Sequence, residues 1–130
     1  IIMIEVTVNN IVNSIPFIQK LTMVKLPARL AYRVVCLVNE IQDEYQRIDS
    51  IRKELADKYF EKDAEGNFVT DETGTSYKVR ENVVEDYIKE SEDFINEKVT
   101  LKSDKLPMEI LDKMDDISAA EMVLCAVFFE

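Results

Sequence analysis

A chain of 130 residues with a formal charge of -10, 47% hydrophobic and 32% charged, has the size and balance of one folded domain, 1–130, and not of a disordered acidic tail. It has no His, two Cys and two Gly, which removes Ser-His and Cys-His catalysis, the common zinc ligand sets and any Gly-rich phosphate loop. The charge is uneven: residues 1–35 carry Lys20, Lys25, Arg29 and Arg33 against Glu5 alone, or +3, leaving -13 for the remainder, so a free-standing nucleic-acid binder is disfavoured.

In chain order, Met3–Thr7 is rich in Ile and Val and predicts a short strand. Asn9 or Asn10 can cap a helix over Ile11–Met23, which carries Pro16 and should kink or start late there. Val24–Leu26 is the turn into the dominant element, a helix over Leu26–Phe60 with no Gly and its only Pro, Pro27, in the first turn. Ala31, Val34, Val38, Ile41, Tyr45, Ile48, Arg52, Leu55 and Tyr59 recur at steps of three and four along it. This heptad-like seam calls for a long partner helix and is broken by Arg52 alone. Leu30, Val35 and Leu37 widen the apolar face, so the first half should be the more deeply buried. Past Gln42 the opposite face turns charged, as expected of one arm of a hairpin.

Glu61–Val79 is a polar break with turn signals at Gly66–Asn67 and Gly74–Thr75, and the β-prone runs Phe68–Val69 and Tyr77–Val79 predict a small hairpin or an ordered loop. Glu81–Lys98 is the second long helix, with Val83, Val84, Tyr87, Ile88, Phe94 and Ile95 as its apolar face toward Tyr45–Tyr59. Val99–Leu111 has a loose period of two and predicts one or two short strands that pair with Met3–Thr7, with Pro107 at an edge. Ser118 and Glu121 form a capping box ahead of a nearly all-apolar helix, Ala119–Phe129, expected to be buried. Cys36 and Cys125 each sit in an apolar run and are expected as buried, reduced thiols. Met122–Phe129 is the longest apolar run and too short to span a bilayer. With no visible signal peptide, an intracellular protein is expected, or one assembled into a particle.

Two stretches carry candidate chemistry. With Gly66 at the sixth position of a calcium loop, Glu61, Asp63 and Glu65 take the first, third and fifth, Phe68 the apolar eighth and Glu72 the twelfth. Glu in first place, Val69 at a ligating position and Gly74–Thr75 beyond it favour an acidic turn instead. The basic cluster Lys20, Lys25, Arg29 and Arg33 either grips an acidic partner or neutralises the acidic remainder.

The run from Lys25 through Leu26, Pro27, Ala31 and Tyr32, then Lys58, Tyr59, Lys62, Asp63 and Gly66, and the ending ISAAEMVLCAVF, resembles an uncharacterised protein family from phages and prophages of Gram-positive bacteria. The resemblance covers most of the chain, and Ile1 and Ile2, ahead of Met3, depart from it and are read as upstream sequence. It implies a phage or prophage origin and carries no catalytic residue. The expectation is an α+β, mainly α fold: a long antiparallel helical hairpin, a small β-sheet and a buried C-terminal helix. The expected function is that of a non-enzymatic accessory protein, without cofactor or metal, that binds a host or phage protein. Arg29, Arg33, Asp43, Glu44, Asp49 and Glu54 are its candidate contact residues, and self-association through Tyr45–Tyr59 is a further expectation. The alternatives are an acidic inhibitor of a host defence nuclease, of anti-CRISPR or anti-restriction type, and a virion or tail-assembly component.

Overall fold

The computed structural model describes residues 3–130, so Ile1 and Ile2, read above as upstream sequence, lie outside the described residues. Contacts gather into two compact units: the chain up to Gln46 together with Asn96–Glu130, and Arg47–Ile95. The fold is α+β and mainly α, and its longest element is the helix Ala28–Tyr59. That helix has 32 residues, or about 48 Å at a rise of about 1.5 Å per residue.

In the first unit, β1 (Ile4–Thr7) pairs antiparallel with β2 (Lys98–Leu101), Ile4 opposite Leu101 and Thr7 opposite Lys98. Ile4 and Val6 point into the core and Glu5 to solvent, the alternation of a strand with one covered face. The helix α1 (Val8–Leu21) begins earlier than the Ile11 start expected, because Thr7 rather than Asn9 or Asn10 is its cap. The Thr7 hydroxyl accepts from the Asn10 N–H at 3.2 Å, and the Asn10 side chain accepts from the Thr7 N–H at 3.0 Å. This is a capping box with Asn standing where Glu or Gln is usual. Pro16 lies inside one continuous helix, on its exposed side, opposite Ile11, Phe17, Ile18 and Leu21.

The long helix, α2, starts after Pro27, whose carbonyl accepts from Ala31 N–H at 3.0 Å. The predicted seam is buried at Val34, Val38 and Ile41, joined by Leu37. The expected widening fails at Val35, which is 52% exposed, and Leu30 is only half-buried. Phe17 meets Phe129 edge-on at 6.0 Å, and Leu106, Ile110 and Phe128 complete this core.

Two expectations near the C-terminus are corrected. Beyond β2, Met108–Lys113 is a 3-10 helix and not a strand. Leu106 keeps a single parallel bridge to Phe129. The closing helix, α4, covers Ala119–Cys125, with the Ser118–Glu121 capping box in place, and a 3-10 turn follows at Ala126–Phe128. Cys125, Phe128 and Phe129 are buried, but Val123 is 82% exposed. A short helix laid on α1 covers only the side that faces it.

The second unit holds the hairpin. The last part of α2 buries Ile48, Leu55 and Tyr59. A ladder follows in which Phe60 bridges Val79, Lys62 bridges Phe68 and Thr70 bridges Tyr77. Gly66 and Gly74 turn it at positive φ, 87° and 71°, a conformation that L side chains adopt at a cost. Phe60, Phe68, Tyr77 and Tyr87 cluster with ring centroids 5.3–5.9 Å apart. After a 3-10 turn at Glu81–Val83, the helix α3 (Val84–Ile95) forms the return arm. It stops short of the Lys98 end predicted, because Lys98 opens β2. Tyr59 meets Tyr87 edge-on at 5.6 Å and donates its hydroxyl hydrogen bond to Glu90, which also pairs with Lys58 at 3.2 Å.

In the first unit, Glu40 fastens the chain beyond β2 to α2. Its carboxylate accepts from the N–H of Lys102 at 2.6 Å and from the N–H and hydroxyl of Ser103 at 2.9 and 2.7 Å. Partial burial pushes this carboxyl up, but those donors together hold it below its ordinary 4.5. A depressed carboxyl stabilises the fold above its ordinary value, and the contribution is lost as pH falls through the folded one. With solvent screening of this largely exposed carboxylate, we expect Glu40→Ala to lower the unfolding free energy by about 1 kcal/mol at pH 7. In urea titrations the gap to wild type should narrow as pH drops below 4.5.

Candidate interaction site

The six residues named from the sequence all lie on α2. Arg33 is committed within the first unit: it donates to the Lys105 carbonyl at 2.6 Å and lies 4.0 Å from Glu130. Arg29 and Lys25 are exposed and have no ion pair among the described residues. Lys20 pairs with Glu121 at 2.9 Å, joining α1 to α4. The predicted basic cluster thus divides into two structural cations and two that face solvent.

At about 100° per residue, Asp43 and Glu54 share one face of α2, while Glu44 and Asp49 lie roughly 100° and 120° away on opposite sides. Arg47, Arg52 and Lys53 are interleaved with them, and Lys53 pairs with Asp49 at 3.3 Å. Charge on α2 is mixed along the helix rather than gathered into one acidic stripe. The concentrated acidity lies later, where residues 81–95 carry six acidic side chains and one basic.

The 61–72 stretch forms an acidic turn. Asp63 accepts from the N–H groups of Glu65 at 2.9 Å and Asn67 at 3.0 Å, and Glu61 pairs with Lys78 at 3.4 Å. These carboxylates serve the turn and the ladder, and among the described residues no group of three or more Cys, Asp or Glu side chains is gathered as a metal ion needs.

What the sequence did not flag is where large apolar side chains remain in solvent. Val83, in the 3-10 turn, and Tyr87 and Phe94 on α3 are half-buried, while Val84, Ile88 and Ile95 are exposed, Ile88 at 49%. Those exposed residues, with Ser91, repeat at steps of four, three and four. They make a second stripe beside the one that packs inward, bordered by Glu85 and Glu92. No residue of α3 is fully buried, so the apolar face expected there is only partly covered.

On the first unit a comparable face lies at the start of α2. Met23, Tyr32 and Val35 are exposed, Tyr32 at 70%. Of these, Val35 lines a groove of about 340 Å³ with Leu21, Leu26, Ala31, Val34 and Val38, and Thr22, Asn39 and Gln42 add polar groups to its lining. Lys25 and Arg29 are the charged residues between Met23 and Tyr32. Residues 20–35 hold four basic side chains and no acidic one.

No helix among the described residues is long and apolar enough to cross a membrane. Compared with models of protein families, with curated proteins and with solved structures, the chain matches none of them.

The two cysteines part company: Cys125 is buried, as expected, but Cys36 is exposed beside Tyr32 and Val35 on the outer side of α2. Burial, and to a smaller degree Glu121, pushes the Cys125 thiol up to about 11. Because the thiolate is the reacting species, iodoacetamide at pH 8 should alkylate one site in the native protein. Peptide mass spectrometry should place it on Cys36, with Cys125 modified only after denaturation and the native label lost in Cys36→Ser.

Proposed function

We propose that this protein is a non-enzymatic accessory protein of a phage or prophage that works by binding another protein. The observation that carries the binding reading is the exposed stripe Val84, Ile88 and Ile95 on a helix that already packs its other side. Contiguous apolar side chains at helical spacing in solvent mark interaction surfaces, whereas scattered ones need no explanation. The phage origin rests on the resemblance of the Lys25–Tyr32 and Lys58–Gly66 motifs and the C-terminal run. On this reading the protein acts in the host cytoplasm or within an assembled particle.

A second reading, inhibition of a host defence nuclease, is favoured by the acidity of residues 81–95. It requires binding that weakens steeply with salt, where an apolar interface would be nearly indifferent to it.

Affinity capture with the tagged protein from infected host cells, read by quantitative mass spectrometry, separates these readings. The expected outcome is a saturable partner whose recovery falls at least about tenfold with Val84→Asp/Ile88→Asp, in a variant whose circular dichroism is unchanged. Recovery unaffected by those changes but abolished at high salt would replace the first reading with the second. A partner insensitive to both would overturn the two together.

A further inference from the structure

The outer side of α2 stays in solvent over about its first five turns. Ala28, Tyr32, Val35, Asn39, Gln42 and Gln46 are exposed there and recur at steps of four and three, the spacing of a helix-pairing seam. None of the six is charged, in a chain where 32% of residues are. At about 100° per residue, Arg29, Cys36 and Asp43 run along one edge of that seam, and all three are exposed. Ala31, Val38 and Tyr45 run along the other edge and add no charge. Neither Arg29 nor Asp43 has an ion pair among the described residues. Each lies seven residues, close to two turns, from Cys36. A two-fold axis that passes between two such helices near Cys36, perpendicular to both, keeps like edges on the same side. It therefore brings Arg29 of each copy beside Asp43 of the other. Arg47, one turn past Asp43, would lie beyond the start of the second copy's α2. In a parallel pair the Arg29 edge would meet the uncharged edge, and both charges would go unanswered. Charges that flank a helix-pairing seam set its orientation in this way.

We propose that this chain forms an antiparallel homodimer through the outer face of α2, Arg29 of each copy pairing with Asp43 of the other and the two Cys36 side chains lying near the axis. The same axis sets Tyr32 across from Gln42 and Val35 across from Asn39, so the seam mixes apolar contact with hydrogen-bonding groups. The contact is isologous and closes at two copies. One helix face a side makes a small interface, and the association is accordingly concentration-dependent. The proposal goes beyond the protein-binding reading above and uses no residue of α3.

The test uses purified full-length protein in sedimentation equilibrium from about 10 µM to about 1 mM, a range set for a small interface. Wild type is expected to rise in mean mass toward a dimer and no further. Arg29→Asp and Asp43→Arg should each stay monomeric, because each sets like charges together at both ends of the seam. Overall charge cannot produce that pair of results: the first change takes the net charge from -10 to -12 and the second to -8, so repulsion alone would weaken one and strengthen the other. The exchange Arg29→Asp/Asp43→Arg leaves the net charge unchanged and should dimerise as wild type does. If the exchange unsettles α2, seen as lost circular dichroism, an equal mixture of the two single variants should give a 1:1 heterodimer instead. Bismaleimidoethane should join Cys36 to Cys36 in wild type, and the link should be lost in either single variant. A wild type that stays monomeric across the range, or single variants that dimerise as it does, would overturn the pairing. So would a folded exchange variant that stays monomeric, or dimers in which Cys36 is not linked to Cys36. Capture of a different protein through α3 is decided by its own experiment whichever result is found.

Discussion

The structure turns on one requirement: a 32-residue helix carries an apolar seam along most of its length, and that seam has to be covered. Each buried aliphatic side chain is worth about 1.5–3 kcal/mol against exposure, so leaving half the seam bare would forfeit much of a small domain's stability. The cover is supplied piecemeal. Val34, Leu37, Val38 and Ile41 are buried in one compact unit, and Ile48, Leu55 and Tyr59 in the other. At Arg52, the charged break in the seam, the side chain lies in solvent.

Polar contacts fix where elements stop more than they hold the units together. The ion pairs on the second unit, Lys58 with Glu90, Lys62 with Asp57 and Lys78 with Glu61, all have substantially exposed partners, and water and salt screen such pairs strongly. The aromatic cluster around Phe60 brings its rings together edge-on or tilted, a contact with directional preferences of its own. It caps the end of α2, so the ladder that follows has a fixed platform. Glu40 does the equivalent work on the first unit by accepting from two backbone N–H groups that β2 leaves behind.

The elements whose signals are local were legible in the sequence. The seam of α2, the Ser118–Glu121 box, the strand before α1 and the two glycine turns each depend on residues a few positions apart. The Thr7 cap escaped because Asn10, not Glu or Gln, returns its hydrogen bond. The period of two over Leu106, Met108 and Ile110 cannot be told from a 3-10 turn in so short a run, and Pro107 suits the start of either. Burial was misread wherever apolar composition alone was the guide. Val35, Cys36, Val123 and Ile88 are as apolar as their buried neighbours, and only the placement of other elements decides which side is covered. The candidate site is made of those misread positions, which is why sequence reasoning pointed to charges on α2 and not to the two apolar faces.

A helix such as α3 that presents Tyr87 and Phe94 on one side and Val84, Ile88 and Ile95 on the next has an apolar arc wider than one neighbour can cover. A helix meant only to close a hairpin would be served by the first set, with polar residues in the second. The extra stripe comes with Glu85 and Glu92 on its outer border, and under the proposed binding role that border would turn acidic surfaces away.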